Sequence, residues 1–103
     1  MQKSILIIGA PGSGKTTKLN SLFNKLDPSV CAQMSFRSFI DSNKYKLKER
    51  FDTLVFDEIH TASQIYCLLD SGKKHDFKLI IATQLSKDDL EVFNLTPFDI
   101  IEL

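Results

Sequence analysis

Apolar residues along this chain come in short dense blocks separated by amphipathic stretches. Ser4-Ile5-Leu6-Ile7-Ile8, Thr53-Leu54-Val55-Phe56 and residues 77–82 and 98–103 are rich in branched and aromatic side chains. Blocks of that length read as strands buried on both faces, and residues 30–34 read as a fifth. Between them the period changes. Leu19, Leu22 and Phe23 fall at i, i+3 and i+4, predicting a helix over residues 14–26. Asp27-Pro28-Ser29 then reads as a turn, because proline and its predecessor resist helix continuation. Ser35 can cap a short helix with Phe36, Phe39 and Ile40 on one face. Ala62, Ile65, Tyr66 and Leu69 form the stripe of a helix over residues 61–71, with Gly72 at its C′ position. Ser86-Lys87-Asp88-Asp89 resembles a helix N-cap, with a short helix running to about Phe93. Residues 42–51 fit either an irregular strand or a helix whose apolar face is Leu47 and Phe51. The alternation predicts an α/β fold, three layers deep, with a five-stranded, mostly parallel sheet covered on both faces.

The first strand block runs directly into Gly9-Ala10-Pro11-Gly12-Ser13-Gly14-Lys15-Thr16, a complete G-x-x-x-x-G-K-[ST] phosphate-binding pattern. A buried strand delivers the loop and a helix starts at its end, so unpaired N–H groups and the helix dipole converge on one anion. The glycines permit close backbone approach and positive φ. Gly9 through Thr17 are the expected nucleotide-binding residues. Lys15 should reach the β- and γ-phosphates, and the Thr16 hydroxyl should ligate Mg²⁺.

Two further strand blocks end in polar pairs. Leu54-Val55-Phe56 ends in Asp57-Glu58, at the strand end where open α/β sheets bind ligands. Asp57 is expected to hold Mg²⁺ through a coordinated water, and Glu58 to orient and polarise an attacking water. An acidic helix N-terminus ahead of Thr61 would use the same residues differently. The block Leu79-Ile80-Ile81-Ala82 ends in Thr83-Gln84, whose uncharged hydrogen-bonding groups suit sensing a γ-phosphate. The expected catalytic set is thus Lys15, Glu58, Thr83 and Gln84, and the metal-binding set Thr16 and Asp57.

Composition narrows the picture. The 103 residues, 43% hydrophobic, amount to one domain with a modest core. Thirteen basic and thirteen acidic residues cancel, so no global field steers the chain to nucleic acid or an anionic membrane. Locally, Lys44, Lys46, Lys48 and Arg50 alternate with Tyr45, Leu47, Glu49 and Phe51. That pattern serves either as a phosphate- and base-contacting stripe or as a solvated lysine face. Cys31 and Cys67 lack a C-x-x-C partner and read as reduced, small hydrophobes. His60 and His75 have no ligand-spaced companions. No apolar run approaches the ~18 residues of a membrane span and the start shows no cleavage-site pattern, which leads us to expect a cytoplasmic protein without a membrane partner.

Taken together, Gly9 to Thr16, Leu54 to Glu58 and Ile80 to Gln84 resemble the Walker A, Walker B and sensor-1 elements of additional-strand, catalytic-glutamate P-loop ATPases, the AAA+ and RecA-like classes. The Ala82-Thr83-Gln84 ending is particularly similar to the HerA–FtsK group. The resemblance implies a sheet ordered 5-1-4-3-2, with the sensor strand between the other two motif strands, and an ATPase using ATP and Mg²⁺ with a protein partner or as a homo-oligomer, nucleic acid being one conceivable partner. The family's helical lid and sensor-2 arginine have no residues here to occupy. Arg37 and Arg50 are the only arginines, so an arginine finger is one of these or comes from another protein. Two other functions fit the residues. The loop also resembles that of adenylate kinases, which implies a small nucleotide or metabolite kinase whose phosphate-loop strand would pair directly with the Asp57 strand. A nucleotide-dependent binding module with little turnover is the third.

Overall fold

The computed structural model describes residues 4–93, 95 and 98–103. Five strands, β1 (Ser4–Ile8), β2 (Cys31–Gln33), β3 (Thr53–Ile59), β4 (Lys78–Thr83) and β5 (Phe98–Glu102), form one sheet in the order β2-β3-β4-β1-β5. Every pairing is parallel. This is the expected 5-1-4-3-2 order read from the other edge. β4 lies between β1 and β3, with Ile5 opposite Ile80 on one side and Val55 opposite Ile80 on the other.

Alternate side chains of these strands feed two cores, which is why the blocks read as continuous apolar runs. Ile7, Val55, Ile80 and Ala82 meet Leu19 of α1 (Lys15–Phe23) on one face. Leu6, Leu54, Phe56, Leu79 and Ile81 meet Ile65 and Leu68 of α4 (Ala62–His75) on the other, joined by Phe39 of α2 (Phe36–Asp41). Phe39 is fully buried, its ring edge-on to Phe56 at 5.4 Å and to Phe77 at 6.5 Å.

Several boundaries differ from the expectation, each for a local reason. α1 stops at Phe23 rather than residue 26, because Lys25 and Leu26 donate to carbonyls three residues back and tighten the last turn ahead of Pro28. In α2, Ser35 caps as expected by accepting from Ser38 N–H, but Ile40 is exposed. Phe39 takes the buried position of this six-residue helix, and Phe36 packs partly against the same core. The ambiguous segment is a helix, α3 (Lys44–Arg50), capped by the Asn43 side chain, with Leu47 and Phe51 packed on the core. Two of its lysines serve the fold. Lys44 Nζ donates to the Phe39, Ile40 and Ser42 carbonyls at the end of α2, and Lys48 Nζ donates to the Asp76 carbonyl beyond α4.

α4 opens on a capping box between Thr61 and Gln64 and passes through Gly72 to His75. Gly72 is therefore not its C′ residue. A Cβ there would lie 2.8 Å from Leu79 Cδ1, so the glycine marks close helix–strand approach, and Asp76 supplies the left-handed cap at φ 58. The buried stripe is Ile65, Leu68 and Gly72, while Tyr66 and Ala62 are exposed. After β4, Ser86 and Asp89 exchange the expected cap hydrogen bonds, but only a single 3₁₀ turn, Asp88–Leu90, follows. Its one buried residue, Leu90, is too little apolar surface to hold a longer helix.

Candidate functional site

β1, flanked by β4 and β5, ends at Ile8, and the chain turns sharply above the strand ends. Gly9 N–H donates to the Thr83 carbonyl at 3.2 Å, and Ser13 N–H returns to the Ala10 carbonyl at 3.1 Å, closing a turn. Gly12 and Gly14 hold φ of 81 and 93, conformations that other residues reach only under strain. Gly14 is also the N-cap of α1. Gly9 is required for a different reason: a Cβ there would collide with Ser13 Oγ. Ala10, Pro11 and Gly12 are exposed at the crest, and Thr16 and Thr17 start α1 on its solvent side.

Three features of this loop bear on a ligand. Lys15 Nζ donates to the Ala10 carbonyl at 3.0 Å, so the loop's one cation lies across its own mouth. Ser13 Oγ is buried with no hydrogen-bond partner among the described residues, which is costly unless something else satisfies it. The exposed N-terminus of α1 has no side-chain cap, leaving amide donors for an anion.

The two main motifs meet. Thr16 Oγ1 donates to Asp57 Oδ2 at 3.0 Å across 41 positions of sequence. The other Asp57 oxygen, Oδ1, accepts from Glu58 N–H at 2.9 Å. All donors here are oxygens, which fits a hard divalent cation that takes one or two protein ligands and completes its shell with water and phosphate. Among the described residues no cluster of three or more His, Cys, Asp or Glu side chains could cage a metal unaided.

Glu58 has an unusual backbone. Its φ is 56, and it sits where β3 takes three steps from Phe56 to Ile59 while β4 takes two from Ile81 to Thr83. This is a β-bulge whose left-handed residue, usually glycine, is here a glutamate. The side chain of Glu58 is exposed at the carboxyl end of the sheet. Thr83 and Gln84 divide sharply. Gln84 is exposed, whereas Thr83 is fully buried. The Thr83 hydroxyl donates to the Ile59 carbonyl at 2.7 Å and accepts from Leu85 N–H at 3.1 Å. It is thus already committed inside the fold.

A cleft of about 310 Å³ opens beside the loop, lined by Gly9, Ala10, Gln84, Leu85 and Lys87 among others. Lys87 Nζ lies 3.7 Å from Glu102 Oε1 across it. Sequence reasoning missed this pair, whose only signal was the charge following a strand end. A larger hollow, about 1290 Å³, lies at the amino-terminal ends of the strands against Tyr66, Leu69 and Phe93, remote from the motif residues. Neither cysteine forms a disulfide, and burial pushes the Cys31 thiol up from its ordinary value.

No protein-family model matches this chain, and no curated protein matches it significantly. Among the described residues no helix is long and apolar enough to cross a membrane.

Proposed function

We propose that this chain is a minimal P-loop ATPase of the catalytic-glutamate type, binding Mg·ATP at Gly9 to Thr16 and cleaving it to ADP and phosphate. It would work with a protein partner or a second copy of itself. The observation that carries the reading is the Thr16–Asp57 hydrogen bond at 3.0 Å with Glu58 next in sequence. The position of β4 between β1 and β3 favours this reading over a kinase, for which β1 and β3 would be neighbours.

The chain's own groups would act as follows. Lys15 Nζ leaves the Ala10 carbonyl for the β- and γ-phosphate oxygens, exchanging a neutral acceptor for a charged one. Loop and helix N–H groups hold the same phosphates without needing to reorganise. Thr16 and Asp57 hold magnesium, which when bound draws charge from the phosphate oxygens. Glu58 accepts a proton from water as the water oxygen bonds to the γ-phosphorus. The bond to the β,γ-bridging oxygen breaks and that oxygen leaves with ADP. Gln84, exposed at the end of β4, is the uncharged group available to the γ-phosphate.

The test is phosphate release by purified protein alongside binding of a fluorescent ATP analogue. Release that falls about 10²–10⁴-fold in Glu58→Gln while binding persists supports the reading. Binding without release in the wild type would point instead to a nucleotide-dependent binding module.

A further inference from the structure

Thr83 stands at the last rung of the sheet, opposite Ile8 on one side and Ile59 on the other. Those two residues end the strands that deliver the loop and Glu58. Its carbonyl accepts from Gly9 N–H, the first amide of the loop. Its hydroxyl lies between the Ile59 carbonyl and the Leu85 amide, adding a side-chain bond at the rung where β3 and β4 pair again after the bulge. A hydroxyl that donates and accepts in one chain of hydrogen bonds strengthens both. Burial at 0% excludes water as a substitute.

We propose that Thr83 is a positioning residue: its hydroxyl pins the β3 bulge that holds Glu58 in the left-handed conformation, while its carbonyl ties that bulge to the start of the phosphate-binding loop. Thr83 therefore sets where the Glu58 carboxylate stands relative to a bound phosphate, without touching the ligand itself. The proposal rests on Glu58 being the water-orienting group. Three side chains separate its components: valine keeps the shape and removes the hydroxyl, serine keeps the hydroxyl, and cysteine keeps a weak sulfur donor.

The first readout uses protein without nucleotide. In Thr83→Val the Leu85 amide should exchange at least about tenfold faster, and the Glu58 backbone chemical shifts should leave their left-handed values. Thr83→Ser should preserve both. Unchanged Glu58 shifts in Thr83→Val would overturn the proposal even if the protein had no ATPase activity, so its failure is separable from that of the functional reading. The second readout is turnover. Thr83→Val should lower kcat by about ten- to a hundredfold with KM within about threefold, the cost of misplacing a group by about an ångström, and serine should restore it. In a Glu58→Gln background the same change should have no further effect within about twofold, because residues acting as one unit are not additive. A loss of equal size in both backgrounds would overturn the proposal in favour of direct ligand contact. Should Thr83→Val not fold, Thr83→Cys undergoes the same measurements. Its weak donor should leave the Leu85 amide clearly less protected and turnover clearly slower than in Thr83→Ser, and values equal to those of Thr83→Ser would overturn the proposal.

Discussion

At φ 56 the backbone of Glu58 occupies a region that costs an L-residue with a Cβ about 1–2 kcal/mol. Its neighbour relieves part of that cost, since Asp57 Oδ1 accepts the Glu58 amide. Replacement by glycine removes the strain and adds freedom to the unfolded chain, which offsets about half of the gain. Glu58→Gly should thus raise stability by about 0.5–1 kcal/mol in urea denaturation while abolishing phosphate release. A loss of stability would mean that the left-handed backbone is not strained. Glu58→Gln leaves the backbone alone and removes only the base, so turnover should fall about 10²–10⁴-fold with binding intact. Lys15→Ala acts on the other side of the phosphate. It should weaken binding of a fluorescent ATP analogue by at least about tenfold, by deleting the cation that reaches the charged oxygens; equal affinity in the mutant would sink the loop assignment.

At the scale of elements, caps and turns decided what the apolar pattern left open. At the start of α4, Thr61 Oγ1 accepts from the Gln64 amide while Gln64 Oε1 accepts from the His60 and Thr61 amides, and Thr61→Ala should cost about 1 kcal/mol. The change should be read as a shift in the urea midpoint at unchanged slope, leaving nucleotide affinity untouched. The strand blocks and the loop were legible because buried parallel strands and glycine-dependent turns constrain residue type strongly, whereas the strand order came only from the resemblance of the three motifs to a known family. Gly72 misled because a glycine near a helix end signals a cap in sequence, whereas here it admits Leu79. The α4 stripe shares Ile65 with the expected one but buries Leu68 and Gly72 in place of Ala62 and Tyr66, because i, i+3 and i+7 from Ile65 face the sheet. The basic stripe on α3 was undecidable because its lysines reach carbonyls of other segments, which no local pattern records. Glu58's conformation left no trace at all, since a glutamate in a bulge reads the same as one in a strand.

For the whole molecule, nucleotide binding at the site is linked to the folding equilibrium. A ligand that binds only the folded chain stabilises it by about 2.7 kcal/mol at a hundred times its dissociation constant. In a domain of this size each kcal/mol moves the melting temperature by roughly 4–8 °C, so saturating Mg·ATP should raise it by ten degrees or more. The increment should fall when magnesium is chelated, because Thr16 and Asp57 then no longer help to hold the nucleotide and only the loop amides and Lys15 remain. It should shrink by about half or more in Lys15→Ala and survive in Glu58→Gln, which separates binding from hydrolysis in one thermal scan. Lys15 pays little to switch partners, its present bond being a neutral one on an exposed carbonyl. Ser13 Oγ, buried without a partner among the described residues, gains if the loop rearranges to satisfy it. Both contributions favour the loaded state. A melting temperature unmoved by millimolar Mg·ATP would therefore reject nucleotide binding itself, and with it every role assigned here to Glu58 and Gln84.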